Sequence, residues 1–376
     1  MKTKIMRFLL RLFWIFPIKE DRVVACSFNG RLFSCNPKYL AIGIAKAGKH
    51  HVYFAMRKGM KAELPEGIER VDYQSLKHFF LLMTAKCIIV NSTGFTAQLP
   101  YRRRQILINT WHGAGMFKVS GGEIFKSKKA AYIRTLFSKN TTYFLSSSAQ
   151  YSERQSSAFG VDIKKFVPTG LPRDDIFFED HPEIIRKVKD YYQISCEKKL
   201  ILYAPTYRDG PVTSLKDYGF PLMDIDRVIE ACQKRFGGEF VFVFRAHHDT
   251  IPENIADNCV NASDYPDVQE LLYASDVLIS DYSSLQWDFA LQYKPGFLYS
   301  PDLKQYESVH PFASDPEEWP FETAADNDEL EKMIIGYDTD AGKKRIDDYF
   351  ANLGSFEKGN ATEQTMEIAF YSDKKH

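Results

Sequence analysis

At 376 residues the chain is too long for one ordinary core and suits two domains. A hydrophobic content of 44% excludes wholesale disorder. A formal net charge of zero excludes a general polyanion binder, though not local basic patches.

The N-terminus reads MKTKIMRFLLRLFWIFP. Its apolar run is broken by Arg11 and is too short to span a bilayer. No small-residue cleavage site follows, which disfavours a signal peptide. Lys2, Lys4, Arg7 and Arg11 beside Trp14 and phenylalanines suit residues 1–20 to a short amphipathic helix on an anionic membrane surface. The alternative is a helix packed on the protein's own surface.

Alternating strand-like and helix-like runs follow. Strands are expected at Arg22–Phe28, His51–Met56, Cys87–Asn91, Ile106–Thr110, Tyr143–Ser147 and Lys165–Pro168, with helices at Pro37–Ala47, Ser75–Ala85, Lys129–Ser138 and Gln150–Phe159. The charged stretch Arg173–Asp180 reads as a linker. The pattern restarts with strands at Lys199–Ala204, Glu239–Arg245, Val277–Ser280 and Gly296–Tyr299, and helices at Asp224–Phe236, Val268–Ala274 and Ser284–Leu291. The expected fold is α/β, with two doubly wound, Rossmann-like domains facing a cleft. The first covers 21–175. The second covers 176–376, with a last helix able to cross back.

Four polar loops fall at predicted strand ends. Ser280–Ser284 (SDYSS) follows a buried strand and opens a helix, so its N–H groups and hydroxyls suit a phosphate; an ordinary serine N-cap would look the same. Asn109–Val119 (NTWHGAGMFKV) offers His112 as a general base, Gly113 for close backbone approach, and Lys118. A structural histidine is the alternative. Tyr203–Gly210 offers Thr206 and Arg208, which also suit a capped turn with a surface arginine. Val243–Thr250 places Arg245 and His247 two apart, on one side of a strand. The fingerprints of dinucleotide-binding folds and P-loop NTPases are absent. Helix-turn-helix, zinc and RNP signatures are absent too, so no nucleic-acid partner is expected. Cys26, Cys35, Cys87, Cys196, Cys232 and Cys259 form no zinc spacing and read as small hydrophobes in a reducing compartment. No carboxylate cluster suits a metal, and no cofactor is expected.

Taken in order, WHG with Lys118, GLPRDD (Gly170–Asp175), APTYR (Ala204–Arg208), FRAHH (Phe244–His248) and SDYSS resemble the CDP-glycerol glycerophosphotransferase family, which builds wall teichoic acid and related capsule polymers. The resemblance spans about Asn91–Leu298 and extends to Gly359–Phe370. It implies a GT-B-like fold, CDP-glycerol or another CDP-alditol as donor, CMP as product, and a lipid-linked glycan acceptor at the cytoplasmic face of the cell membrane. By the same resemblance His112 and His247 are catalytic, and Gly113, Lys118, Thr206, Arg208, Arg245, Ser283 and Ser284 lie at the donor, with Asp281 either structural or beside the donor's cytidine. Arg102, Arg103, Arg104, Lys128 and Lys129 are candidates for acceptor or membrane contact. His248–Asp249 replaces the usual proline after the second histidine, and Ser300–Phe312 departs from the family pattern, which bears on the alditol and acceptor. The short N-terminal region favours a primase-like or capsule-type transferase. A CDP-ribitol enzyme and a nucleotide-sugar glycosyltransferase are the rival activities.

Overall fold

Apolar runs such as Val23–Cys26, Cys87–Val90 and Leu278–Ser280 are buried, and in parallel sheets such runs are covered on both faces. In the computed structural model, which describes residues 2–113, 127–206, 223–246 and 258–371, they form two separate parallel sheets. The first contains β1 (Lys19–Cys26), β2 (His51–Met56), β3 (Ile68–Asp72), β4 (Ala85–Val90), β5 (Ile106–Asn109), β6 (Tyr143–Leu145) and β7 (Phe166–Val167). Its order is β3-β2-β1-β4-β5-β6-β7. The second contains β8 (Lys199–Tyr203), β9 (Phe240–Phe244), β10 (Val260–Asn261), β11 (Val277–Ser280), β12 (Gly296–Tyr299) and β13 (Glu322–Ala324), in the order β10-β9-β8-β11-β12-β13. Both orders reverse direction once, between β1 and β4 and between β8 and β11. Ligands of open α/β sheets bind outside the carboxyl ends of strands at such a reversal.

Contacts divide the chain into two units. The first runs to His112, resumes through Asp175 and takes back the chain from Leu353 onward; the second holds Gly113 and Ile176–Asn352. The boundary between the units, Asp175/Ile176, falls within the linker expected at Arg173–Asp180, but the first residues of that stretch are not exposed. Arg173 and Asp174 are buried, and Asp175 accepts the N–H groups of Ala361 and Thr362 at 2.8 and 2.9 Å, capping the helix Ala361–Met366. Charge made the whole stretch look exposed, but tertiary partners bury Arg173 and Asp174, while Phe178, Glu179 and Asp180 are exposed. Gly170, which opens the same motif, sits at φ +76°, and a Cβ there would come within 2.6 Å of Glu357 Oε2.

The N-terminal residues form a helix at Lys2–Leu10 and a 3-10 turn at Arg11–Ile15. Phe13 and Phe16 pack edge-on against Phe80. No described helix is long and apolar enough to cross a membrane.

Phe80 belongs to the helix Leu76–Thr84, which buries His78 completely. Its Nδ1 accepts the Gln74 N–H at 3.0 Å, and burial lowers its pKa from 6.5 to about 4. The unfolded chain therefore binds the extra proton first. The stability from keeping His78 neutral is complete above pH 6.5 and fades as pH falls towards 4, by about 3 kcal/mol. Denaturant titrations at stepped pH are expected to show this loss in the wild type and a flatter profile in His78→Gln. Equal slopes would refute it.

Candidate active site

In the first unit, the loops leaving β1, β4 and β5 converge on His112. Asn109 Oδ1 accepts the Trp111 N–H at 2.8 Å, turning the chain sharply after β5. Trp111 takes φ +50° in that turn, and Phe28 and Asn29, after β1, take +47° and +55°. Non-glycine residues held in this region are strained, and strain of this kind gathers at functional sites. The His112 ring stacks on Trp111 with centroids 4.2 Å apart and leans on Phe28 at 5.4 Å. Its Nδ1 lies 2.6 Å from the Asn91 carbonyl oxygen. A carbonyl only accepts, so Nδ1 carries the hydrogen and Nε2 is the basic nitrogen. Asn91 Oδ1 also accepts the Phe28 N–H at 2.8 Å, tying the β1 and β4 loops together.

Two further residues brace this loop from below. Asn36 Nδ2 donates to the carbonyls of Thr110 and Trp111, each at 3.3 Å, while Asn36 Oδ1 accepts the Arg173 N–H at 3.0 Å. The Arg173 guanidinium donates to the His112 carbonyl at 2.9 Å and lies 3.5 Å from Asp174 Oδ1. Cys35 Sγ is 3.5 Å from the same guanidinium, and burial pushes that thiol's pKa up. None of Phe28, Asn36, Asn91 and Arg173 was expected as a site residue. The GLPRDD motif was the one available signal, and it pointed at Arg173 without giving it a role.

In the second unit the β8 and β11 loops meet at the sheet's reversal. Asp281 is buried, and its Oδ1 accepts the Thr206 N–H at 2.8 Å and the Tyr282 N–H at 2.6 Å. Ser280 Oγ donates to the Ala204 carbonyl at 2.6 Å. Asp281 thus acts as the clamp that holds the APT and SDYSS loops side by side. Thr206, Ser283 and Ser284 are half-buried around this clamp. The helix after SDYSS differs from expectation. It starts at Leu285, runs only to Ala290, and Ser284 makes no capping bond. So short a helix has a weak macrodipole, so any phosphate here depends on individual N–H and hydroxyl donors. Gly113 groups with this unit, and a Cβ there would press on Ser284 Oγ at 3.3 Å.

Arg245 is also committed locally. One of its terminal nitrogens donates to the carbonyls of Ala262 and Tyr265 at 3.0 and 2.9 Å, securing the turn after β10. Burial lowers its pKa, opposed by nearby Asp267. The segment Ser300–Phe312 supports the SDYSS turn: Tyr282 donates to Asp302 Oδ1 at 2.9 Å and stacks on Tyr306 at 4.1 Å. Lys118, Arg208, His247 and His248 lie outside the described residues.

The basic residues separate into groups. Arg102 turns inward, donating to the carbonyls of Trp14, Phe16 and Met83 at 3.2, 2.8 and 2.6 Å, and so fastens the N-terminal segment. Arg104 pairs with Glu20 at 3.2 Å. Arg103, Lys128 and Lys129 are exposed, the last two at the start of the helix Lys128–Asn140.

Comparison with known proteins bears on the whole chain. The teichoic acid poly(glycerol phosphate) polymerase of Bacillus subtilis (strain 168) is 29% identical over 306 aligned residues, covering 77% of this chain and 40% of that protein. The polymerase of the same description from Bacillus spizizenii is 27% identical over 390 aligned positions, covering 97% and 96%. Ribitol-phosphate polymerases and a ribitol-phosphate primase match as well. The chain therefore spans less than half of the first relative and nearly all of the second. The structure of the wall teichoic acid polymerase TagF superposes with a TM-score of 0.79 at 22% identity, covering 98% of this chain and 96% of that one, which establishes a shared fold. The model of the family described as CDP-Glycerol:Poly(glycerophosphate) glycerophosphotransferase matches residues 8–371, and the chain belongs to that family of transferases.

Proposed function

We propose that this protein transfers glycerol phosphate from CDP-glycerol to a hydroxyl of a lipid-linked glycan at the cytoplasmic face of the membrane, in teichoic acid or capsule polymer synthesis. The observation that carries the reading is the His112 ring, whose Nδ1 is held by the Asn91 carbonyl, within a chain that matches the family over residues 8–371. The acceptor oxygen attacks the phosphorus that bears glycerol. The bond from that phosphorus to the bridging oxygen breaks, and CMP leaves with that oxygen. His112 Nε2 takes the acceptor's proton. Thr206, Ser283 and Ser284, placed by the Asp281 clamp, hold the diphosphate, and the resemblance adds Lys118, Arg208, Arg245 and His247 to that role. Positioning and charge neutralisation carry most of the work in phosphoryl transfer. Transfer of ribitol phosphate is the second reading, favoured by the ribitol-phosphate relatives.

The test is mass spectrometry of a defined lipid-linked disaccharide after separate incubation with CDP-glycerol, CDP-ribitol and UDP-sugars. A gain of glycerol phosphate with CMP release is the expected result. A gain from CDP-ribitol alone would move the assignment to the second reading. A gain from a UDP-sugar alone would overturn both.

A further inference from the structure

Because the first sheet is wholly parallel, all its strands begin on one edge. That edge collects cations: Lys19 opens β1, Lys86 is the second residue of β4, Arg103 and Arg104 precede β5, Lys139 precedes β6, and Lys164 and Lys165 precede β7. Glu20 takes up two of them, at 2.8 Å from Lys86 and 3.2 Å from Arg104. Further along, a cavity of about 780 Å³ is lined by Arg103, Lys139, Lys164 and Lys165, with Tyr143 and Phe166 among its walls. Among the described residues, no carboxylate lines it. Asp162, two residues before Lys164, accepts the Lys164 backbone N–H at 3.0 Å, and Lys165 Nζ donates to the Ser138 carbonyl at 2.8 Å.

The cavity shares its support with the N-terminal segment. Arg7 donates to the Gln98 carbonyl, and Trp14 Nε1 to the Pro100 carbonyl at 3.2 Å. Asn140, next to Lys139, donates to the carbonyls of Ala97 and Leu99 at 2.9 and 2.8 Å. The strap 97–100 thus binds the N-terminal segment on one hand and the rim of the basic cavity on the other. That segment exposes Phe8 at 67%, Leu12 at 63% and Ile15 at 81%, while Leu10 is buried. An apolar surface and a cationic recess held by one strap match the two layers of an anionic bilayer, acyl boundary and phosphate.

We propose that this cavity seats the phosphate headgroup of an anionic phospholipid, with Phe8, Leu12 and Ile15 in the adjoining acyl boundary. This rests on the membrane-peripheral part of the proposed function and adds a specific headgroup site to it. A lipid is favoured over a soluble phosphate ester because the strap that holds the rim of the recess also holds the segment exposing these apolar side chains. The site also lies at the opposite strand ends from His112, and so is distinct from the catalytic loops.

The test is flotation of the full chain with phosphatidylcholine vesicles, with and without phosphatidylglycerol. A basic side chain near an anionic surface changes partitioning about fivefold. The double variant Lys139→Gln/Lys164→Gln is therefore expected to bind phosphatidylglycerol vesicles about 25-fold more weakly, with unchanged binding to phosphatidylcholine and an unchanged unfolding midpoint. Undiminished binding of the double variant to phosphatidylglycerol vesicles would overturn the headgroup site and leave the membrane reading standing. Undiminished binding of Phe8→Ser/Leu12→Ser to both vesicles would instead overturn the membrane reading. If glycerol 3-phosphate bound the wild type but not the double variant, while vesicle binding was equal in both, the recess would serve a soluble phosphate and the lipid assignment would fall.

Discussion

His112→Gln is expected to release CMP about 10²–10⁴-fold more slowly than the wild type, with an unfolding free energy within about 1 kcal/mol of it. The two halves of this expectation come from different parts of the geometry. The rate loss follows from the tautomer: a ring whose Nδ1 donates to the Asn91 carbonyl presents Nε2 as base, and a glutamine amide offers no comparable basicity. The small stability change follows from the ring's half-exposed position, where it gives up contacts with Trp111 and Phe28 but leaves no buried charge. Because hydroxide can partly replace a lost base, the residual rate should rise with pH. A variant retaining more than about a tenth of the activity would remove His112 from the role of base.

The residues that were legible in the sequence are those whose burial leaves a local trace. Val277–Ser280, Gly296–Tyr299 and His51–Met56 are apolar runs between polar turns, and each forms the strand expected of it. β3 was not expected. Only Ile68 and Val71 of its five residues are buried, and it pairs on the sheet's edge, where backbone bonds do the ordering. β10 and β13 are edge strands of two and three residues and leave less trace still. The site shows the same division. His112 was visible from its place at a strand end and from the motif around it. Its partners were not, because Asn91 holds the ring through a backbone carbonyl that any residue would supply, Asn36 reaches the Thr110 carbonyl across 74 residues of chain, and Arg173 reaches the His112 carbonyl across 61. Asp281 reads from the sequence as either structural or donor-side, with nothing to choose between the two. Its carboxylate accepts backbone N–H groups, a structural task that leaves no signature beyond the acid itself.

Arg173→Met is expected to cost about 3–5 kcal/mol of stability, since removing one member of a buried ion pair strands the other. Asp174 is fully buried beside Arg173, so the carboxylate would lose its nearby cation without gaining water. The same substitution removes the donor to the His112 carbonyl, loosening the turn that fixes the ring. Stability and positioning can be separated with Arg173→Lys. A lysine keeps the charge beside Asp174, but a single ammonium cannot reproduce the planar fork that serves Asp174 and the His112 carbonyl together. Arg173→Lys should therefore recover most of the unfolding free energy in denaturant titrations, while CMP release stays well below wild type at saturating donor. If its rate recovered in step with its stability, Arg173 would be a structural residue of the GLPRDD turn alone, and the placement of His112 would rest on Asn36 and Asn91.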